Sequence, residues 1–229
     1  MTPQAIMIFA AGRGTRMGAL TDTQPKPLVP VGGRALIDHA MDLTADISPL
    51  TRVVNTHYLA PMLKHHLAGQ GVLFSDEPEL LLETGGGLRQ ALPLLGQNPV
   101  FTLNSDAIWR GPNPLTLLAD SWDPARMEAL LLLVPPERAL GHTGKGDFLL
   151  GPDSKLTRGP GFIYPGAQIL RTEGLADIPQ AVFSLNLLWD QMAARGGLYG
   201  IPYPGQWCDV GRPESIPLAE ALLRSAPVS

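Results

Sequence analysis

The chain has 229 residues, and 45% of them are hydrophobic, which is enough to bury a sizeable core and excludes wholesale disorder. A formal net charge of −4 disfavours a surface for nucleic acid or for anionic membranes, although a few placed cations can still hold a small anionic ligand. One cysteine, Cys208, excludes an intrachain disulfide, and no apolar run has the length of a membrane helix or of a signal-peptide core. We therefore expect a cytoplasmic protein.

Strands and helices alternate through the first half of the chain. The apolar run at residues 5–10 predicts a strand buried on both faces, as is typical of parallel sheets. Further strands are predicted at 52–56, 71–75, 99–104 and 129–134, and helices at 35–44, 61–67 and 115–119 and from Gly85 onward. This alternation predicts an α/β fold with a Rossmann-like, mixed and mostly parallel sheet flanked by helices.

The second half of the chain has shorter predicted elements. An antiparallel pair is predicted at 148–150 and 156–157, further short strands at 162–164 and 168–170, and helices at 182–192 and 216–223. No linker, repeat or charge run divides the chain. We therefore expect a single domain, residues 1–229, with two lobes that meet near residue 110.

A glycine-rich turn follows the first strand and reads Ala11-Gly12-Arg13-Gly14-Thr15-Arg16-Met17. Glycines let a backbone approach a phosphate closely, and the two arginines add charge-assisted donors. The alternative is a tight strand-to-helix turn with two solvated arginines. Met17 stands where a dinucleotide fingerprint needs its third glycine, so a nicotinamide oxidoreductase is disfavoured.

Lys26 lies between Pro25 and Pro27, on a loop that the two prolines stiffen. A cation held in this way loses little entropy when it binds an anion, which suits phosphoryl transfer. The alternative is an ordinary exposed lysine.

Two aspartates are placed where a hard cation could bind. Asp106 follows a predicted strand, at the sheet edge where open α/β folds bind ligands, and Asp209 lies between apolar residues. Two carboxylates together with phosphate oxygens suit Mg²⁺. A helix N-cap at Asp106 and a turn cap at Asp209 are the alternatives.

Taken together, Gly12-x-Gly14-Thr15-Arg16-Met17 and Pro25-Lys26-Pro27-Leu28 resemble the signature of the sugar-1-phosphate nucleotidyltransferases. The resemblance continues in the stretches Glu77 to Gly87, Asn104-Ser105-Asp106 and Trp207-Cys208-Asp209-Val210-Gly211. Asn55-Thr56-His57 and Gly144-Lys145-Gly146-Asp147-Phe148 are similar to segments of the N-acetylmuramate-1-phosphate uridylyltransferases of cell-wall recycling. The mannose-1-phosphate guanylyltransferases are the neighbouring alternative.

This resemblance implies the nucleotide-diphospho-sugar transferase fold, in which residues 1–110 bind nucleotide and 111–229 bind the sugar phosphate. It implies transfer of a nucleotidyl group from UTP to N-acetylmuramate-1-phosphate, in a monomer or small homo-oligomer that needs neither nucleic acid nor membrane. The implied roles are catalysis for Lys26 and Arg16, nucleotide binding for Ala11, Gly12, Arg13, Gly14, Glu83, Gly86 and Asn104, acceptor binding for Gly146 and Asp147, and Mg²⁺ binding for Asp106 and Asp209.

Three departures from the family pattern limit these implications. Ser105 stands where glycine is usual, Arg212 follows Val210-Gly211 where threonine is common, and no Glu-Lys-Pro motif occurs. The last departure leaves the acceptor's phosphate without an assigned cation. A non-catalytic nucleotide-sensing subunit is the alternative of another class, and the joint presence of Lys26, Arg16, Asp106 and Asp209 argues against it.

Overall fold

The computed structural model describes residues 2–48, 50–96 and 98–225. The strands, in chain order, are β1 (Ala5–Phe9), β2 (Pro30–Val31), β3 (Arg34–Ala35), β4 (Thr51–Thr56), β5 (Val72–Asp76), β6 (Val100–Asn104), β7 (Ala107–Arg110), β8 (Ala129–Leu133), β9 (Ala139–Leu140), β10 (Phe148–Leu150), β11 (Leu156–Arg158), β12 (Ala167–Leu170), β13 (Leu198–Pro202) and β14 (Gln206–Asp209). The α-helices are α1 (Leu36–Leu43), α2 (Ala60–His66), α3 (Glu83–Leu95), α4 (Pro114–Ser121), α5 (Asn186–Ala194) and α6 (Ser215–Arg224). Short 3₁₀ helices lie at Thr15–Thr21, Lys26–Leu28, Pro136–Arg138 and Glu173–Leu175.

A seven-stranded sheet with the order β13-β8-β12-β6-β1-β4-β5 forms the centre of the fold. Strands β6, β1, β4 and β5 are parallel, and Ile8 of β1 pairs with Val54 of β4 and Leu103 of β6. Strand β12 runs antiparallel to both of its neighbours, whereas β13 and β8 are parallel. The predicted mixed, mostly parallel sheet is therefore confirmed.

Helices cover both faces of this sheet because successive strand side chains point to opposite sides. Ile6 and Ile8 of β1 pack in a core with residues of α1, α2 and α4, whereas Ala5 and Met7 pack in a second core with residues of α3 and α5. A strand that is buried on both faces reads as a continuous apolar run, which explains why β1 could be predicted. None of the helices in the described ranges is long and apolar enough to cross a membrane.

A smaller sheet, of order β7-β14-β9, brings together the two motifs that contain Asp106 and Asp209. Strand β14 pairs antiparallel with β7, so that Asp209 lies opposite Ala107, and the Val210 amide donates to the Asp106 carbonyl over 2.9 Å. Helix α6 packs against this sheet in a third core that includes Cys208 and Val210. The pairing places both aspartates at one edge.

Two predicted elements of the second half differ in the structure. Residues 162–164 form no strand, since Phe162 and Ile163 make only isolated bridges, to Phe148 and Val134. Helix α5 begins at Asn186 and not at 182, because the Phe183 backbone is bonded to the start of α3: its amide donates to Leu82, and its carbonyl accepts from two glycine amides. Tertiary hydrogen bonds here override the local helical pattern.

Candidate active site

A cavity of about 220 Å³ opens at the carboxyl ends of β1, β4 and β6, where ligands bind in open α/β sheets. We call it the first cavity, and its lining residues are Phe9, Ala10, Ala11, Gly12, Lys26, Pro27, Asn55, Leu81, Glu83, Thr84, Asn104, Ser105 and Asp106. Six of the sequence-predicted residues are therefore brought together here: Ala11, Gly12, Lys26, Glu83, Asn104 and Asp106.

Lys26 is 8% exposed, and its Nζ lies 2.5 Å from Asp106 Oδ2. The glycine-rich turn packs directly on this lysine: Gly14 has φ 65°, and a Cβ there would lie 2.8 Å from Lys26 Cβ. Gly14 is thus required by both its backbone conformation and its contact. Gly14 contacts the lining residue Lys26 but does not itself line the cavity. Arg13 is exposed and does not line the cavity either.

The second aspartate, Asp209, is half-buried, and its pKa is raised. Desolvation is the main cause and the negative charge of Asp106 the next, whereas Lys26, Arg16 and His142 act in the opposite direction. Two carboxylates that repel each other across a partly desolvated site favour a bound cation between them. The metal-binding role of the two aspartates stays a prediction.

Arg16 lies on the Asp209 side of the site. A Cβ on Gly211 would come within 2.9 Å of Asp209 Oδ2 and 3.2 Å of Arg16 Nη2, so both side chains pack against that glycine. Arg16, His142 and the unusual Arg212 line a separate cavity of about 500 Å³. A basic side chain therefore lies near each aspartate, Lys26 beside Asp106 and Arg16 near Asp209.

The donor set fits a hard divalent cation that keeps part of its water. Asp106 and Asp209 supply carboxylate oxygens, and within the described ranges no cluster of three or more His, Cys, Asp or Glu side chains could hold a metal. Mg²⁺ is commonly held by one or two carboxylates together with substrate phosphates and waters. The residues present fit such an ion and do not form an all-protein cage.

A buried polar network holds the first cavity in shape. The Ala10 amide donates to Asn55 Oδ1 over 2.7 Å, and Asn55 Nδ2 donates to Glu77 Oε1 over 2.7 Å. Glu77, 1% exposed, also accepts from the Leu82 amide through Oε2. This network connects the end of β1 to the loop before α3. The sequence analysis did not predict it. The position of Asn55 near the carboxyl end of β4, equivalent to that of Asn104 on β6, could have indicated it.

Two glycines of α3, Gly85 and Gly86, have amides that are already bonded, and neither lines the first cavity, so the role of Gly86 in nucleotide binding stays a prediction. The amides of Gly85 and Gly86 both donate to the Phe183 carbonyl, over 2.9 and 3.1 Å. A Cβ on Gly86 would lie 2.5 Å from the Ala181 carbonyl oxygen. These glycines are needed for close packing against residues 181–183. Glu83, the first residue of α3, does line the cavity, with φ 61°.

Ser105, a departure from the family pattern, is accommodated without strain. It is buried, has no positive φ, and its Oγ donates to the Phe9 carbonyl over 2.7 Å. The hydroxyl thereby fastens the end of β6 to the end of β1.

A second cavity, of about 260 Å³, adjoins the first and shares Phe9, Thr84 and Asn104 with it. Its other lining residues are Asp147, Phe148, Arg158, Tyr164, Ser184, Leu185, Asn186 and Trp189. Asp147 thus lies where an acceptor would be expected, although its Oδ2 accepts from the Tyr164 amide over 2.9 Å. Gly146 is not in the lining: with φ 89° it packs against Gly161, whose carbonyl oxygen would be 2.2 Å from a Cβ.

Sequence reasoning missed the aromatic wall and the arginine of this second cavity. Trp189 Nε1 donates to Gln168 Oε1 over 2.9 Å, and Gln168 Nε2 donates to Thr102 Oγ1 over 3.1 Å. Tyr164 packs edge-on against Trp189, with 4.8 Å between ring centroids. No local motif marks these residues, because they come from separate elements.

Comparison with known proteins gives a consistent result. The MobA-like NTP transferase domain family matches residues 6–160. The chain is 40% identical, over 98% of both chains, to an N-acetylmuramate alpha-1-phosphate uridylyltransferase of Caulobacter vibrioides. It is 34% identical to the enzyme of that name from Neisseria meningitidis, over 94% of this chain and 96% of the relative. The solved structure of HddC from Yersinia pseudotuberculosis, complexed with GMP-PN, aligns with a TM-score of 0.76 at 21% identity. The alignment covers 98% of this chain and 100% of the HddC chain, and it supports the fold.

Proposed function

This chain belongs to the MobA-like NTP transferase family and is a sugar-1-phosphate nucleotidyltransferase, and we propose that it transfers uridylyl from UTP to N-acetylmuramate-1-phosphate. The observation that carries the proposal is the first cavity itself. A buried lysine there faces one of two neighbouring aspartates at the sheet edge, in a chain that matches two such uridylyltransferases over nearly its full length.

In the proposed reaction, a phosphate oxygen of the acceptor attacks the α-phosphorus of UTP. The bond from that phosphorus to the bridging oxygen of the β-phosphate breaks, and the electron pair leaves with pyrophosphate. A phosphate monoester is largely dianionic at neutral pH, because its second pKa is about 6, so the attacking oxygen needs no general base. Positioning and charge stabilisation then supply most of the catalysis.

Lys26 is proposed to neutralise the α-phosphate and the attacking phosphate. It is buried, lies in the cavity lining and is held by the packing of Gly14, so little reorganisation is needed when charge develops. Arg16, together with the backbone of residues 12–14 and with Arg13, is proposed to hold the β- and γ-phosphates.

Asp106 and Asp209 are proposed to hold Mg²⁺. The ion, when bound, supplies positive charge that screens the triphosphate oxygens. The pKa of Asp209 is raised by desolvation and by the charge of Asp106, and this supports the assignment because a bound cation would offset both effects.

Ala11, Asn104 and Glu83 are proposed to contact the nucleoside, since all three line the first cavity. Because the Gly86 amide is already bonded and Gly86 does not line the first cavity, base recognition is proposed to rest on lining groups such as Glu83 and Thr84. A site built around one hydrogen-bonding edge can reject another base by several powers of ten, since mispaired buried groups are costly.

We also propose that the two lobes divide the substrates. Every residue that lines the first cavity lies before 110, whereas eight of the eleven that line the second lie beyond it. We propose that the reaction takes place in the cytoplasm, where nucleoside triphosphates are supplied. It would there be a step in the recovery of cell-wall amino sugars.

The test is pyrophosphate release measured over a matrix of UTP and GTP with N-acetylmuramate-1-phosphate and mannose-1-phosphate. We expect the highest kcat/KM for UTP with the muramate. A guanosine preference, or use of the mannose phosphate alone, would favour a mannose-1-phosphate guanylyltransferase. Tight triphosphate binding without turnover on any acceptor would favour a nucleotide-sensing subunit.

A further inference from the structure

Arg158, at the end of β11, lies on the wall of the second cavity and is oriented by several contacts. Its Nε lies 3.0 Å from Asp190 Oδ1, and its Nη2 donates to Asn186 Oδ1 over 3.0 Å. The guanidinium also lies over the rings of Phe148 and Trp189, 4.7 and 5.4 Å from their centroids. These contacts orient the planar group and lower the entropy that it would lose on binding a ligand.

The contacts leave donors for a ligand. A guanidinium has five N–H donors, and the recorded bonds of Arg158 use Nε and Nη2, with the Asn186 carbonyl as a third acceptor at 3.3 Å. The pair with Asp190 is exposed, with 40% and 57% of the two side chains accessible, so it is weak and open to competition.

The position of Arg158 decides which part of an acceptor it could meet. The two cavities share Phe9, Thr84 and Asn104, whereas Arg158 lines only the second. An acceptor whose phosphate reaches towards Lys26 in the first cavity places its sugar in the second. Arg158 then faces a substituent of the sugar ring and not the reacting phosphate.

We propose that Arg158 is the specificity-determining residue that selects an acidic sugar, by pairing with a carboxylate on the acceptor; this rests on the proposed function. Among the described residues that line the second cavity, Arg158 is the one basic side chain, and Asp147, the one acidic side chain, already accepts from the Tyr164 amide. N-acetylmuramate carries a lactyl ether with a carboxylate, which N-acetylglucosamine lacks. Nη1 can donate to this carboxylate, and Nη2 can add a second, parallel hydrogen bond when its long bond to the Asn186 carbonyl, at 3.3 Å, gives way. Two such bonds give both energy and geometric specificity.

The experiment compares two acceptors on Arg158→Gln: N-acetylmuramate-1-phosphate, and N-acetylglucosamine-1-phosphate as its counterpart without the carboxylate. We expect kcat/KM for the muramate to fall about 10- to 100-fold, mainly through KM, because a charge-assisted hydrogen bond is lost. The low activity with the glucosamine should stay unchanged. Arg158→Lys, which keeps the charge but loses the fork, should give an intermediate preference.

The matched control is Arg195→Gln. Arg195 is also an exposed arginine in an ion pair, with Glu128 at 2.6 Å, and it lies outside both cavities. We expect no change with either acceptor.

A measurement on the unaltered protein tests the proposal without relying on the folding of any variant. The methyl ester of the lactyl carboxylate should be as poor an acceptor for the unaltered protein as the free acid is for Arg158→Gln. Equal use of acid and ester, or an equal loss with both acceptors in Arg158→Gln, would overturn the role of Arg158 and leave the proposed function standing. No turnover of N-acetylmuramate-1-phosphate by the unaltered protein would instead overturn the proposed function.

Discussion

The two neighbouring cavities are built in different ways. The first is formed largely by short segments that follow parallel strands, with a glycine-rich turn and a proline-flanked lysine at its edge. The second is formed by side chains of β10, β11, α5 and the loops between them, including Arg158, Tyr164 and Trp189. Strand ends and tight turns form the cavity that we propose for the phosphates, whereas packed side chains form the cavity that we propose for the sugar.

The two cavities are also stabilised differently. Next to the first, the amide of Asn55 and the carboxyl group of Glu77 form a buried network that connects backbone amides. Behind the second, a neutral network of Gln168 and Thr102 orients Trp189. Substitutions in the first cavity should therefore affect turnover for every acceptor, and substitutions in the second should affect acceptor choice.

Lys26→Ala tests the first cavity and should have the largest effect. We expect kcat to fall by roughly 10²–10³, as for other lost groups that stabilise transition-state charge. Pyrophosphate release at saturating substrates measures this. Lys64→Ala is the control, because Lys64 pairs with Asp76 at 2.6 Å on the surface. Near-normal turnover in Lys26→Ala would make Lys26 a bystander.

Asp209→Asn tests the proposed metal site beside the first cavity, and we expect the Mg²⁺ concentration for half-maximal activity to rise. Loss of groups that merely support metal ligands costs roughly 10–100-fold in affinity, and loss of a ligand should cost about as much or more. Asp106→Asn should act in the same direction, and Asp153→Asn, at an exposed surface position, is the control.

Thermal unfolding gives an independent readout for the same variant. The pKa of Asp209 is raised in the folded chain, so its ionised form is less favourable there than in the unfolded chain. Without metal at neutral pH, Asp209→Asn should therefore be at least as stable as the unaltered protein, and added Mg²⁺ should stabilise it less. Turnover that survives a chelator, or an unchanged Mg²⁺ requirement, would refute the assignment.

The difference between the two cavities also explains which features could be predicted from the sequence. The buried parallel strands, Gly12, Lys26 and Asp106 are marked by local patterns: apolar runs, glycine, flanking prolines, and an acid at a strand end. The geometry of the first cavity agrees with these predictions, while the chemical roles of the residues stay predictions.

The sequence does not predict contacts that distant segments decide. Whether the Gly86 amide is free depends on Phe183, which no local pattern links to it. Arg158 lies on a short exposed strand, and its place in a cavity depends on packing against Phe148 and Trp189. Tertiary contacts between short elements cannot be read from spacing.

Trp189→Phe tests the second cavity and should have the smallest effect on catalysis. The substitution keeps an aromatic ring but removes the indole N–H that donates to the buried Gln168 Oε1. An unsatisfied buried acceptor costs about 1–3 kcal/mol, so the free energy of unfolding should fall by that amount. The KM for the acceptor should rise severalfold because the wall beside Arg158 loosens, while the KM for UTP stays unchanged.

Trp122→Phe is the matched control, since the buried Nε1 of Trp122 has no hydrogen-bond partner among the described residues. Denaturant unfolding and steady-state kinetics with each substrate varied in turn measure both effects. If the KM values for UTP and acceptor rose together, the two cavities would not be separable in the way that their construction indicates.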